Sequence, residues 1–471
     1  MTEAGVASEG WTRPPAVAGT FYPADRRRLR QAIADHLRGA ALPADLSEPR
    51  AVIVAHAGYH YSGRTAAVAY RAVATRARAI RRVVVVGPAH RVAVDGPGVG
   101  VSTAARWRTP LGDVSLDTAA ARRLVARGLA VEADAAHAPE HSVEVQLPFL
   151  QTVLGDVTVL PLVVGRAQTR AVAQALEAVW TGDDTLLVVS SDLSHYHDDA
   201  TARRRDERTA TAIIEERIED IGPRDACGCL PIRGALAVAR RRGLIPVRLD
   251  LSTSADASGD TSRVVGYGAF ALVPPSPLAA GERRWLAALA RRAIGHELGT
   301  GDAYPLADRD VPERLRPPRA SFVCLELGDR LLGCIGSLEP RRPLWQDVAR
   351  NARAAAFEDP RFGRLTPDEL ELATLEISVL SPLEELEARD RRDVERQVRP
   401  GVDGVLLAAG EHRGTFLPTV WAKLPDPEEF VDQLIRKAGL ADGRWPEGAR
   451  VWRYTTDDVV DPPAATSRAQ A

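Results

Sequence analysis

A chain of 471 residues is too long for one hydrophobic core and fits roughly two to four domains. Its 45% hydrophobic and 26% charged residues lie within the globular norm, so disorder is not the default, and a net charge of −2 gives no electrostatic footprint for nucleic acid. No stretch reaches the ~20 uninterrupted apolar residues of a membrane span, and four cysteines make no disulfide framework, so a reduced, cytoplasmic protein is expected.

The start of the chain, residues 1–10, is polar and has no signal-peptide pattern. Among the basic residues only Lys423 and Lys437 are lysine. The arginine runs at 26–28, 203–205 and 240–242 read as solvated helix faces. From residue 51 to 273, short apolar, β-branched runs alternate with longer Ala/Arg/Leu stretches. The runs at 51–55, 83–86, 158–164, 185–189 and 264–273 are expected to be buried parallel strands, because continuous apolarity fits a strand covered on both faces. The pieces at 117–127 and 170–180 have helical length and composition. The expectation for residues 1–275 is therefore an α/β domain, a wound sheet with helices on both faces.

Pro274-Pro275-Ser276-Pro277 then excludes helix and central strand and marks a boundary. Beyond it, a helix begins near residue 281, and strand-like runs follow at 321–327 and 331–335. A helix at 344–357, strands at 375–380 and 404–408 and a helix at 426–438 complete a second, α+β domain over 281–455. Residues 456–471 are expected to form a flexible tail.

Three strands of the first domain run into polar clusters: His56-Ala57-Gly58-Tyr59-His60, Gly87-Pro88-Ala89-His90 and Ser190-Ser191-Asp192-Leu193-Ser194-His195. In an open parallel sheet, ligands bind beyond the carboxyl ends of the strands, so these histidines would share one crevice. Two imidazoles and one anionic ligand with open positions is the layout of oxygen-activating iron sites. The third ligand could be a carboxylate or a thiolate. Cys227 precedes an expected helix at about 231–242, where a lowered thiol pKa would favour metal binding. Its spacing equally fits a small residue in a tight Gly-containing turn. His137, His141 and Glu144 form a further polar group. Either His141 and Glu144 share a helical face near the site, or Pro139 and Glu140 simply start a helix.

Seven ordered motifs now point to a family. They are Arg13-Pro14-Pro15-Ala16-Val17-Ala18-Gly19-Thr20-Phe21-Tyr22-Pro23, His56-Ala57-Gly58-Tyr59, Gly87-Pro88-Ala89-His90, Thr109-Pro110-Leu111-Gly112, His141-Ser142-Val143-Glu144-Val145-Gln146-Leu147-Pro148-Phe149, Ser190-Ser191-Asp192-Leu193-Ser194-His195, and Cys227-Gly228 followed by Pro231-Ile232. Over residues 13–273 the chain resembles the MEMO family, also called AmmeMemoRadiSam system protein B, which is similar in fold to class III extradiol dioxygenases. The resemblance implies metal ligands His56, His90 and Cys227, with Asp192, His195 and His141 in the same pocket and His195 as general base. Over about 281–455 the chain resembles the AMMECR family, AmmeMemoRadiSam system protein A, through Leu331-Leu332-Gly333-Cys334-Ile335-Gly336. Leu332 stands where that family usually has Arg, which puts an anion contact there in doubt. Cys334 reads as a nucleophile or a buried small hydrophobe, and with no nearby His motif the buried reading is preferred.

The leading expectation is a metal-dependent dioxygenase-like oxidoreductase using Fe(II), with Cu or Zn as alternative metals. The competing readings are a peptide- or ligand-binding module with a structural metal, and a zinc hydrolase. The family names imply a radical SAM protein partner and a small-molecule or peptide substrate. No nucleic-acid or membrane partner is expected.

Overall fold

The computed structural model describes residues 10–43, 46–307, 310–328, 330–440, 445 and 448–463. Most of the start expected to lack a signal peptide (1–9) and the end of the expected tail (464–471) lie outside the described residues. The chain divides into two compact units, Met1–Pro275 and Ser276–Ala471, at the proline cluster.

The first unit is built on a nine-stranded sheet. Its strands are β1 (Ala51–Val54), β2 (Arg82–Pro88), β3 (Val99–Val101), β4 (Val131–Glu132), β5 (Thr158–Val164), β6 (Thr185–Ser190), β7 (His195–His197), β8 (Ile245–Thr253) and β9 (Val264–Val273). They lie in the order β7-β9-β1-β6-β2-β5-β3-β4, with β8 paired to β9. The central four, β1, β6, β2 and β5, are parallel. Their Val/Ile/Leu side chains are almost wholly buried, and the two faces of the sheet feed two separate hydrophobic clusters. This is the pattern that helical cover on both faces demands.

The expectation of a parallel strand at 264–273 needs correcting: β9 runs antiparallel to both β1 and β8. Continuous apolarity reports burial on both faces and carries no information about direction. β8 itself has no counterpart among the expected strands, because Arg248 and Asp250 interrupt its apolar run. Asp250 is used inside the fold, where it accepts a hydrogen bond from the Thr65 hydroxyl at 2.7 Å.

The second unit contains two four-stranded antiparallel sheets and its own core under the helices Ala280–Thr300 and Leu344–Phe357. Thr456–Asp461, expected as tail, is a strand paired antiparallel along residues 375–380 of the strand Thr374–Leu380. Its acidic residues look like tail composition, but two of the three are paired: Asp457 and Asp461 form ion pairs with Arg283 and Arg291 of the helix Ala280–Thr300. A second correction concerns cysteine. Cys324 and Cys334 sit opposite one another on neighbouring antiparallel strands and are joined as a disulfide, so Cys334 is neither a free nucleophile nor a buried thiol. The sequence does not show this pairing, because strand register decides it. No helix among the described residues is long and apolar enough to cross a membrane.

Candidate metal centre

The carboxyl ends of β1, β6 and β2 point to one place, and each delivers a histidine or its support. His56 lies two residues beyond β1 and is 2% exposed. Its backbone N–H donates to Asp192 Oδ1 at 2.7 Å, and its ring Nδ1 lies 2.9 Å from Ser190 Oγ. The Ser190 hydroxyl has one proton, and this goes to the Ser142 carbonyl at 2.5 Å, while Gln146 Nε2 donates to the same oxygen at 2.9 Å. Ser190 must therefore accept from His56, which places the imidazole proton on Nδ1 and leaves the Nε2 lone pair free. That lone pair lies 3.2 Å from Cys227 Sγ. Burial, then the neighbouring His141 and His90, holds the His56 pKa well below its ordinary value, so the ring is neutral.

His90 is oriented in the same manner by a carboxylate. Glu140, 1% exposed, accepts from the His90 backbone N–H at 2.6 Å and from its ring Nδ1 at 3.0 Å. The backbone N–H groups of His141 and Ser142 also donate to Glu140, each at 2.8 Å. Burial works to raise the Glu140 pKa, but the His141 and His90 rings and these donors outweigh it and hold the carboxyl well below the usual range. With Nδ1 committed to Glu140, His90 keeps Nε2 free.

Cys227 reaches the cluster from the loop before the helix Cys229–Arg241. Gly228 allows this approach: a Cβ there would lie 2.7 Å from Ser191 Cβ, and its N–H donates to Ser191 Oγ at 2.9 Å. The expected lowering of the thiol pKa is reversed. Burial, then the Asp192 carboxylate, pushes it up to about 12, outweighing the donors near the helix start.

His56, His90 and Cys227 bring one donor atom each within 4.8 Å of one another. His90, Glu140 and His141 form a second such group, but Glu140 is already occupied by four N–H contacts and serves the histidines instead. His141 stacks on His90 at 4.8 Å between ring centroids and meets His56 edge-on at 5.4 Å. Its Nδ1 is buried and lacks a hydrogen bond, lying 3.2 Å from Glu140 out of alignment. Asp192 is buried, and burial raises its pKa. His195 donates from Nδ1 to the Leu193 carbonyl at 2.8 Å, which leaves its Nε2 open, and it lines a cleft together with His90 and Cys227.

Two other residues of the polar group lie away from the cluster. His137 is fully buried, packed edge-on against Trp107 with Nε2 3.2 Å from the Gly100 carbonyl. Glu144 faces Arg13, to which it is ion-paired at 2.6 Å. The expected shared face of His141 and Glu144 does not form, nor does a helix begin at Pro139. A short helix ends at His137, and a 3-10 turn starts at Glu144. Sequence reasoning did not identify Ser190, Gln146 and Glu140 as supports. Their only signal was position: Ser190 and Gln146 lie inside motifs that carry histidines, and Glu140 directly precedes one.

Residues 13–271 match the family described as Memo-like protein, and residues 287–459 match the one described as AMMECR1. The chain belongs to the Memo-like family. A MEMO1 family protein of Methanopyrus kandleri is 37% identical over 279 residues, covering 55% of this chain and 98% of the relative. Another, from Aquifex aeolicus, is 35% identical over 269 residues, 54% of this chain and 97% of its own. A solved structure of an uncharacterized protein from Pyrococcus horikoshii is 31% identical and covers 40% of this chain and 95% of its own, with a TM-score of 0.38.

The donor set of the Memo-like unit fits a transition metal. Two imidazoles and one sulfur converge, the Nδ1 of each ring is held by a hydrogen bond, and the 3.2 Å between His56 Nε2 and Cys227 Sγ matches the ~3.1–3.6 Å between donors on one ion. A carboxylate that holds a ligand histidine is commonly as important as the ligand. Glu140→Gln should therefore weaken metal affinity by about 10–100-fold with the fold retained. Chelator competition with zinc, alongside circular dichroism, checks this; unchanged affinity would make Glu140 merely structural.

Proposed function

We propose that the Memo-like unit is an oxidoreductase that holds a redox-active metal, Fe(II) first and Cu second, at His56, His90 and Cys227. The observation that carries this reading is the convergence of His56 Nε2, His90 Nε2 and Cys227 Sγ, with each ring held at its Nδ1 by the protein. Bound there, the metal would supply electrons and open coordination positions. The remaining chemistry falls to side chains. His195, with Nδ1 tied to Leu193, accepts a proton at Nε2 from a substrate in the cleft. Asp192 fixes the His56 backbone, and His141 closes the floor beside His90. We further propose that the AMMECR1 unit and a radical SAM protein partner act on the same small molecule or peptide, since fusion raises effective concentration.

The test is to purify the full chain without oxygen, quantify bound metals and follow oxygen uptake. About one iron or copper per chain is expected, with metal and uptake both lost in Cys227→Ala. Stoichiometric zinc without a redox metal would support a hydrolase instead. Metal retained at the original level in both Cys227→Ala and His56→Ala would refute the ligand assignment.

A further inference from the structure

Above the His/Cys cluster of the Memo-like unit lies a cleft of about 660 Å³, a size suited to a small molecule. His90, His195 and Cys227 belong to its lining, and so do Tyr196, Arg205 and Arg224, whereas no acidic residue does. Neither arginine has a close carboxylate partner among the described residues. Arg205 has only long contacts, 3.5 Å to the Arg224 carbonyl and 3.6 Å to Asp225, and its buried Nε has no partner. The exposed Arg224 side chain makes no ion pair among the described residues. Tyr196 is 64% exposed and holds a left-handed backbone (φ 64°) at the point where the pairing of β7 with β9 shifts. A bulky residue held in that conformation is strained, and such strain gathers at ligand sites. Arg263 lies 4.5 Å over its ring and adds a further cation.

We propose that this cleft takes a small organic oxyanion, with its carboxylate or phosphate held by Arg205 and Arg224 and its body over His195 and Cys227. Guanidinium forks match such groups in shape and charge. The assignment rests on reading the cluster as the reaction centre and names the substrate class for it.

The experiment uses the full chain stripped of metal by a chelator, with Cys227 itself as reporter. Iodoacetate and iodoacetamide alkylate the same sulfur, each displacing iodide, and differ chiefly in charge. Modification of Cys227 is followed by mass spectrometry, and the rate ratio of iodoacetate to iodoacetamide is compared with that in the urea-unfolded chain. A cationic cleft should raise this ratio about tenfold or more at low salt, and the gain should fall with added salt. Arg205→Gln with Arg224→Gln should return it to the unfolded value. Arg224→Gln alone, at an exposed position, should lower it part-way without risk to the fold. Protection by benzoate would assign a carboxylate, and protection by inorganic phosphate a phosphate. The raised thiol pKa slows both reagents alike and cancels in the ratio, so the reaction is run at about pH 9 with long incubation. A ratio equal to that of the unfolded chain, or a ratio unchanged in the double variant, would overturn the proposal. Added zinc separates the two readings. If zinc fails to protect Cys227 while the anion preference stands, the metal reading falls and this one survives.

Discussion

Glu144→Ala is expected to cost the Memo-like unit about 3–5 kcal/mol, a large share of its stability. The carboxylate is fully buried and accepts four hydrogen bonds: from Arg13 at 2.6 Å, from the backbone N–H groups of Ala16 and Val17 at 2.7 and 3.0 Å, and from the Tyr22 hydroxyl at 2.6 Å. Arg13 is itself 1% exposed, and its guanidinium also lies 4.2 Å over the Trp107 ring. Removing Glu144 strands a buried cation and three neutral donors, each worth about 1–3 kcal/mol when unsatisfied. Removing both charges together, as in Arg13→Met with Glu144→Leu, should cost less than the single change. Urea unfolding followed by circular dichroism checks both statements. A loss below about 1 kcal/mol for Glu144→Ala would show that the segment is held mainly by packing.

The second large effect is a pH dependence. Zinc affinity of the full chain should rise about tenfold per pH unit between pH 7 and 9, roughly 100-fold in all. The sign follows from the Cys227 thiol, whose pKa burial and Asp192 push up to about 12. Throughout that range it is protonated in the metal-free protein, so each ion bound must release its proton. His56 adds nothing to the slope, because its lowered pKa leaves it neutral well below pH 7. Chelator competition at fixed ionic strength reads the slope, and Cys227→Ala should flatten it. A flat profile in the unmodified chain would mean that sulfur is not a ligand.

How far the sequence anticipated this site depends on the residue. His56 and His90 were legible because apolar strand runs end just before them, and strand ends in such sheets share an edge. Cys227 was not, since its loop fits a tight turn equally well; its place beside His56 comes from a contact across 171 residues. Glu140 entered only as one of two open readings, a helix-start acid, because the donors that reveal its role come from His90, on another strand end. The same limit hid strand β8, whose Asp250 is internally bonded, and the strand Thr456–Asp461, two of whose acids are paired by a helix far away in sequence. In the second unit, the disulfide depended on register, a property of strand pairs that no single run displays.

The separation between His56 and Cys227 also has a consequence in time. A ribosome adds about 5–20 residues per second. His56 therefore emerges roughly 10–30 s before Cys227. During synthesis the nascent chain presents its two imidazoles to the cell's metal pool well before the thiol exists. On the proposed ligand set, any ion captured before then would rest on nitrogen donors alone, and the sulfur would complete the set last.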